Sequence, residues 1–236
     1  MNTVLFDLDG TLLPMDIDKF TEAYCGALAK KLVPYGIEPN KMIAALWKGT
    51  GAMVQNDGTV TNETKFWEVF EKELGIKKED YEAVLDDFYL NDFKQLEAII
   101  TKTKYAEECV SLLKEKGYRL VVATNPVFPR QATLHRIRFA GLNENDFELY
   151  TTYEEAHYCK PNPKYFTELL GRIDAKAEEC IMIGNDVQED GSAVGAGIPC
   201  YIITDCLLHR EEGEIGLEHG SFEDFLELIK SWPNVK

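Results

Sequence analysis

Long hydrophobic runs are what this sequence most plainly lacks. No apolar stretch approaches the ~20 residues that span a bilayer. The first ten residues hold two acids where a secretory leader would hold a basic segment. Membrane insertion and export are therefore not expected, and the chain reads as cytoplasmic. Positive charge is also scarce: 25 Lys and Arg face 41 Asp and Glu, a formal charge of −16. A field of that sign repels polyanions, which argues against nucleic acid and an anionic membrane surface as partners. A small anion remains compatible, provided positive charge is supplied locally. Cysteine is present without a pattern. Cys25, Cys109, Cys159, Cys180, Cys200 and Cys206 include no Cys-x-x-Cys pair and no cluster with histidine, so neither a zinc site nor a disulfide framework is expected. Internal repeats and low-complexity segments are missing too.

What is present is a globular composition. With 236 residues, 45% apolar and 28% charged, the chain can bury a sizeable core and suits one large domain or a domain with an inserted module. Short apolar runs at 3–8, 119–123, 180–184 and 199–203 read as buried parallel strands, with 148–151 a weaker one. Helical patterns separate them, among them 104–116, a helix opened by Asn162-Pro163, and 222–232 with Ser221 as N-cap. The expected fold class is α/β, a Rossmann-like doubly wound, mostly parallel sheet. The first two strands lie much further apart than one crossover helix needs. The intervening residues read as helices at 17–32, 39–47, 63–74 and 78–90. The expected domains are an α/β core of residues 1–15 and 96–236 and a helical cap of residues 16–95.

Chemistry concentrates at the ends of the strands. The first runs Val4-Leu5-Phe6-Asp7-Leu8-Asp9-Gly10-Thr11, an apolar strand finishing in two carboxylates that must be solvated, paired or bound to metal. One such Asp can serve as nucleophile and the other as acid/base. The second strand ends Ala123-Thr124-Asn125-Pro126, placing a hydroxyl where ligands bind in parallel sheets. Lys160-Pro161-Asn162-Pro163 sets a point charge just before a helix. The fourth strand is followed by Asn185-Asp186-Val187-Gln188-Glu189-Asp190, two more carboxylates four residues apart. Each of these alone is compatible with ordinary turn chemistry.

Taken in order, the four segments resemble the four motifs of the haloacid dehalogenase-like (HAD) hydrolases, and Asp-x-Asp-Gly-Thr resembles the form found in the family's phosphatases. The resemblance covers about two-thirds of the chain and implies a five-stranded core sheet with a cap inserted after the first motif. It implies an HAD-like phosphoric monoester hydrolase in which Asp7 attacks phosphorus to form an aspartyl-phosphate and Asp9 is acid and then base. Thr124, Asn125 and Lys160 would bind the phosphoryl group, and Mg²⁺ would be held by Asp7, Asp9 through its backbone carbonyl, and Asp186. Asp190 and Asn185 would support these from behind. The intervening Asn185 leaves open which of Asn185 and Asp186 leads; carboxylate is the better Mg²⁺ ligand, which favours Asp186. The implied partner is a small phosphorylated metabolite, and the chain would act as a monomer or homodimer. A phosphomutase of the same superfamily and a catalytically silent binding protein on this fold are the alternatives. A phospho-accepting receiver domain shares the Asp, Thr and Lys but lacks such an insert.

Weaker signals lie elsewhere. Trp47-Lys48-Gly49-Thr50-Gly51 and Gln55-Asn56-Asp57-Gly58 read as polar interruptions of the cap helices, so Lys48 or Asn56 could touch substrate. Arg130, His135, Arg136 and Arg138 follow Thr124 on an expected helix and read as a solvated face, with Arg130 near its start the one placed to reach a second anion.

Overall fold

The strands assemble as one sheet in the computed structural model, which describes residues 1–211 and 213–235. Among them are β1 (Thr3–Phe6), β2 (Arg119–Val122), β3 (Leu149–Tyr150), β4 (Cys180–Gly184), β5 (Cys200–Ile203) and β6 (Glu218–Gly220). Their order is β3-β2-β1-β4-β5-β6, and every pairing is parallel. The sixth strand was not expected. Glu218-His219-Gly220 is short, polar and mostly exposed, as suits an edge that must not recruit another chain. It carries none of the apolar pattern by which strands are read.

Helices α1 (Ile17–Leu32), α2 (Pro39–Val54), α3 (Asn62–Leu74) and α4 (Lys78–Asp87) lie between β1 and β2 in sequence. A wider turn at Phe88–Asp92 and a tight one at Phe93–Ile99 extend α4. Their starts are written locally: the side chains of Asp16, Glu38 and Thr61 accept from backbone N–H groups in the first turns of α1, α2 and α3. The expected break at residues 47–51 does not occur, because α2 continues to Val54. Gly49 is there for close packing. A Cβ on it would lie 2.6 Å from the Phe66 ring on α3, so the glycine lets two helices approach.

Helices α5 (Lys104–Glu115), α6 (Arg130–Phe139), α7 (Pro163–Arg172) and α8 (Phe222–Lys230) complete the layers. Alternate β1 side chains enter different cores: Val4 and Phe6 pack with α5, α6 and α8, and Leu5 packs with α7. The central strand has its sequence successors running outward in both directions. Its carboxyl end is therefore the point where strand order reverses, the crevice in which open α/β sheets bind ligands.

Candidate active site

Asp7 follows β1 directly, and its N–H donates to the Ile183 carbonyl at 2.8 Å, tying it to the end of β4. Its Oδ1 accepts from Lys160 Nζ at 2.8 Å, and the same ammonium donates to Asp190 Oδ1 at 2.6 Å. The other oxygen of Asp190 accepts from the backbone N–H groups of Asn185 and Asp186, each at 3.0 Å. Asp7, Lys160 and Asp190 are all buried. Burial pushes the Asp7 carboxyl up to about 8, with Lys160 opposing and Asp190 and Asp9 reinforcing the rise. Burial works against the charge on Lys160, yet its two carboxylate partners hold its pKa well above the ordinary lysine value. The structure thus gathers three of the expected residues into one chain of hydrogen bonds, with the lysine charged between them.

Asp9 has a different surrounding. Its Oδ2 is ion-paired with Arg136 of α6, and its Oδ1 is buried with no partner. Arg136 is no part of a solvated face; it is fully buried. Its guanidinium donates to Thr133 Oγ1 at 3.1 Å and lies 4.3 Å from the Phe128 ring centroid. A helical stripe in the sequence carries the signal for its burial. Ala132, Arg136, Phe139 and Ala140 follow i, i+4, i+7, i+8 spacing and are all buried, so the arginine sits on the inner face. Arg130, by contrast, pairs with Glu155 and bonds Tyr150 Oη at 3.1 Å.

Gly10 and Thr11 shape the turn after Asp9. Gly10 has φ +87°, and a Cβ there would lie 2.3 Å from Asn185 Nδ2, so both conformation and space require glycine. Thr11 Oγ1 donates to Asn185 Oδ1 at 3.1 Å, and Asn185 Nδ2 donates to the Cys206 carbonyl at 2.7 Å. Asn185 is thereby engaged in holding loops together. Asp186 Oδ1 accepts from the N–H groups of Gln188 and Glu189 at 3.0 and 2.9 Å. Its Oδ2 pairs with Arg210 at 2.6 Å. Arg210 lies in the loop after β5, which sequence reading assigned nothing, because no local pattern marks which carboxylate a loop arginine meets.

The Thr124 carbonyl is pinned by Thr151 Oγ1 at 2.6 Å and Tyr165 Oη at 3.0 Å, so the buried residue is held at the end of β2. Asn125 bridges: its Nδ2 donates to Glu189 Oε2 at 2.9 Å, and its Oδ1 accepts from the Lys160 N–H at 3.1 Å. Lys48 stands apart, exposed and paired with Glu73 at 2.6 Å. Asn56 is buried and closes the α2–α3 turn, donating to the Val60 carbonyl and Asn62 Oδ1 at 2.9 Å each.

A cavity of about 320 Å³ opens over the strand ends and is roofed by α1 and α2. Asp7, Asp9, Thr124, Asn125, Asn185, Asp186 and Asp190 border it; Lys160 lies behind Asp7. Its hard oxygen donors suit Mg²⁺. Two of those oxygens are weakly used: Asp9 Oδ1 has no partner, and Asp7 Oδ2 accepts only a 3.5 Å contact from Thr11. Among the described residues no three Asp, Glu, His or Cys side chains form a closed cage. A magnesium ion is commonly held by one or two carboxylates with water completing its shell, and Asp7 with Asp186 offers such a pair, the Asp186 oxygens being shared with Arg210.

Comparison with known proteins agrees with this geometry. The family model of haloacid dehalogenase-like hydrolases matches residues 1–197. The pyrophosphatase PpaX of Bacillus cereus is 25% identical over 197 residues, covering 84% of this chain and 80% of its own. A ribulose-1,5-bisphosphate 5-phosphatase of Halopiger xanaduensis is 26% identical over 200 residues, covering 82% of this chain and 80% of its own. An HAD phosphatase of Thermococcus onnurineus shares the fold, with TM-score 0.64 and 19% identity over the whole of both chains. A match across most of the chain, on a sheet whose reversal point carries the paired acids, establishes that this chain belongs to the haloacid dehalogenase-like hydrolases.

Proposed function

We propose that the protein is a Mg²⁺-dependent phosphatase that hydrolyses a small phosphorylated metabolite through an aspartyl-phosphate. The observation that carries this reading is the charged Lys160 bridging Asp7 and Asp190 beside the unpartnered Asp9 Oδ1. The relatives' named substrates, pyrophosphate and a sugar bisphosphate, support phosphoryl transfer to water.

In the first step an Asp7 oxygen attacks phosphorus and the bond to the leaving oxygen breaks. Asp9 gives that oxygen a proton. In the second step Asp9 takes a proton from water, whose oxygen attacks phosphorus and breaks the Asp7–phosphorus bond. Lys160 and the Thr124 hydroxyl offset charge on the transferring oxygens. Asp190 and Asn125 hold Lys160 in position from its two ends. Asp7, Asp186 and the Asp9 backbone carbonyl would hold Mg²⁺, which supplies positive charge between nucleophile and phosphoryl group when bound. Local cations explain how a chain of charge −16 accepts an anion.

The test is phosphate release from a panel of phosphorylated metabolites and p-nitrophenyl phosphate, with Mg²⁺ and with EDTA. Turnover is expected with Mg²⁺, lost in EDTA, and reduced at least about 10³-fold by Asp7→Asn. Transfer of phosphate to a second sugar position, without release, would identify a mutase instead. Folded protein inert on every compound would overturn the reading.

A further inference from the structure

Phosphate at Asp7 and Thr124 occupies the strand-end side of the cavity, so the rest of a substrate must lie against the roof. That roof is apolar. Ile17, Phe20 and Tyr24 of α1 and Leu46, Trp47 and Val54 of α2 face the cavity. Ile17, Trp47 and Val54 are 43%, 53% and 39% exposed, a set of uncovered apolar side chains grouped at the mouth of a site. The hydroxyls nearby are already engaged: Tyr24 Oη with Tyr89 Oη at 2.8 Å, and Thr50 Oγ1 with the Leu46 carbonyl at 2.9 Å. Thr21 is the roof's remaining hydroxyl-bearing residue. Among the described residues lining the cavity, the one cation is Arg210. It stands on the sheet side, against Asp186 at 2.6 Å and Glu189 at 3.7 Å. A second phosphate pressed against the roof would lose its water and gain no counter-charge.

We infer that the alcohol released by this enzyme is a small apolar or aromatic one without a second phosphate, selected by the α1–α2 roof. The inference rests on the phosphatase reading and adds the substrate class. It separates this chain from relatives named for doubly phosphorylated substrates. The volume, about 320 Å³ for phosphate and alcohol together, lies at the small end of ligand sites. Roof contacts remote from phosphorus would serve to orient the ester for attack, raising kcat as well as lowering KM.

The experiment is kcat/KM for n-alkyl phosphates from ethyl to hexyl and for phenyl phosphate, beside glycerol phosphate, pyrophosphate and ribulose 1,5-bisphosphate. A rise of about threefold per methylene is expected until the cavity is filled. The apolar esters should exceed the doubly phosphorylated compounds by about tenfold or more. Trp47→Ala should flatten the chain-length dependence, and Thr50→Arg should shift preference toward pyrophosphate. A flat alkyl series, or higher kcat/KM on pyrophosphate or the bisphosphate, would overturn the inference and leave the phosphatase standing. No Asp7-dependent release from any compound would overturn both.

Discussion

Asp7 carries a cost to the fold. Its carboxyl is held near 8, against an ordinary 3.8, chiefly by burial. A folded-state pKa raised for an acid means that the fold prefers the neutral form. The stabilisation that preference gives is complete below the unfolded value near 4 and is lost as pH rises through about 8. Metal-free Asp7→Asn should therefore gain in stability over the parent as pH rises from about 4 to about 8, a Tm difference in EDTA that grows across that range. Thermal unfolding of both proteins across that range checks the slope. An equal Tm difference at every pH would remove the burial account. Arg136 is paired with Asp9, the acid/base of the proposed mechanism. By holding Asp9 Oδ2 it fixes where Oδ1 points, a positioning role. Arg136→Met should lower turnover of an alkyl phosphate about 10²-fold, because a poor leaving group needs its proton. p-Nitrophenyl phosphate, which leaves without one, should fall by less than about tenfold. Arg136→Lys should recover part of the loss. Equal losses on both substrates would mark the arginine as merely structural.

At the scale of elements, helix starts were legible because caps are local. Asn162 before Pro163 and Ser221 before Phe222 both accept first-turn N–H groups where expected. Glycine within α2 is ambiguous in sequence, since the residue that signals a break also permits close approach, and the neighbour that decides between them lies on another helix. Gly49→Ala makes the distinction measurable. In an exposed helix the change gains about 1 kcal/mol. Here the added Cβ would meet Phe66 at 2.6 Å, so a loss of about 1–3 kcal/mol is expected by urea denaturation. A gain would mean that the Phe66 ring moves aside freely. α6 is ambiguous for the complementary reason: three arginines suggest solvent, and the buried one is betrayed only by its helical phase.

For the whole molecule, the strand order matters most. Placing β1 between β2 and β4 brings residues far apart in sequence to one crevice, with Asp9 meeting Arg136 across 127 positions and Asp7 meeting Lys160 across 153. By itself the sequence determined the α/β class, most strand and helix positions, and the acids, threonine and lysine gathered at the strand ends. Those features are local: apolar period, caps, and polar residues where a buried run stops. Only the tertiary structure decided the sixth strand, the burial of Arg136 against Asp9, the Arg210–Asp186 pair and the apolar roof over the site. Each depends on what stands opposite, and a side chain's charge or exposure there is set by a partner that sequence spacing does not name.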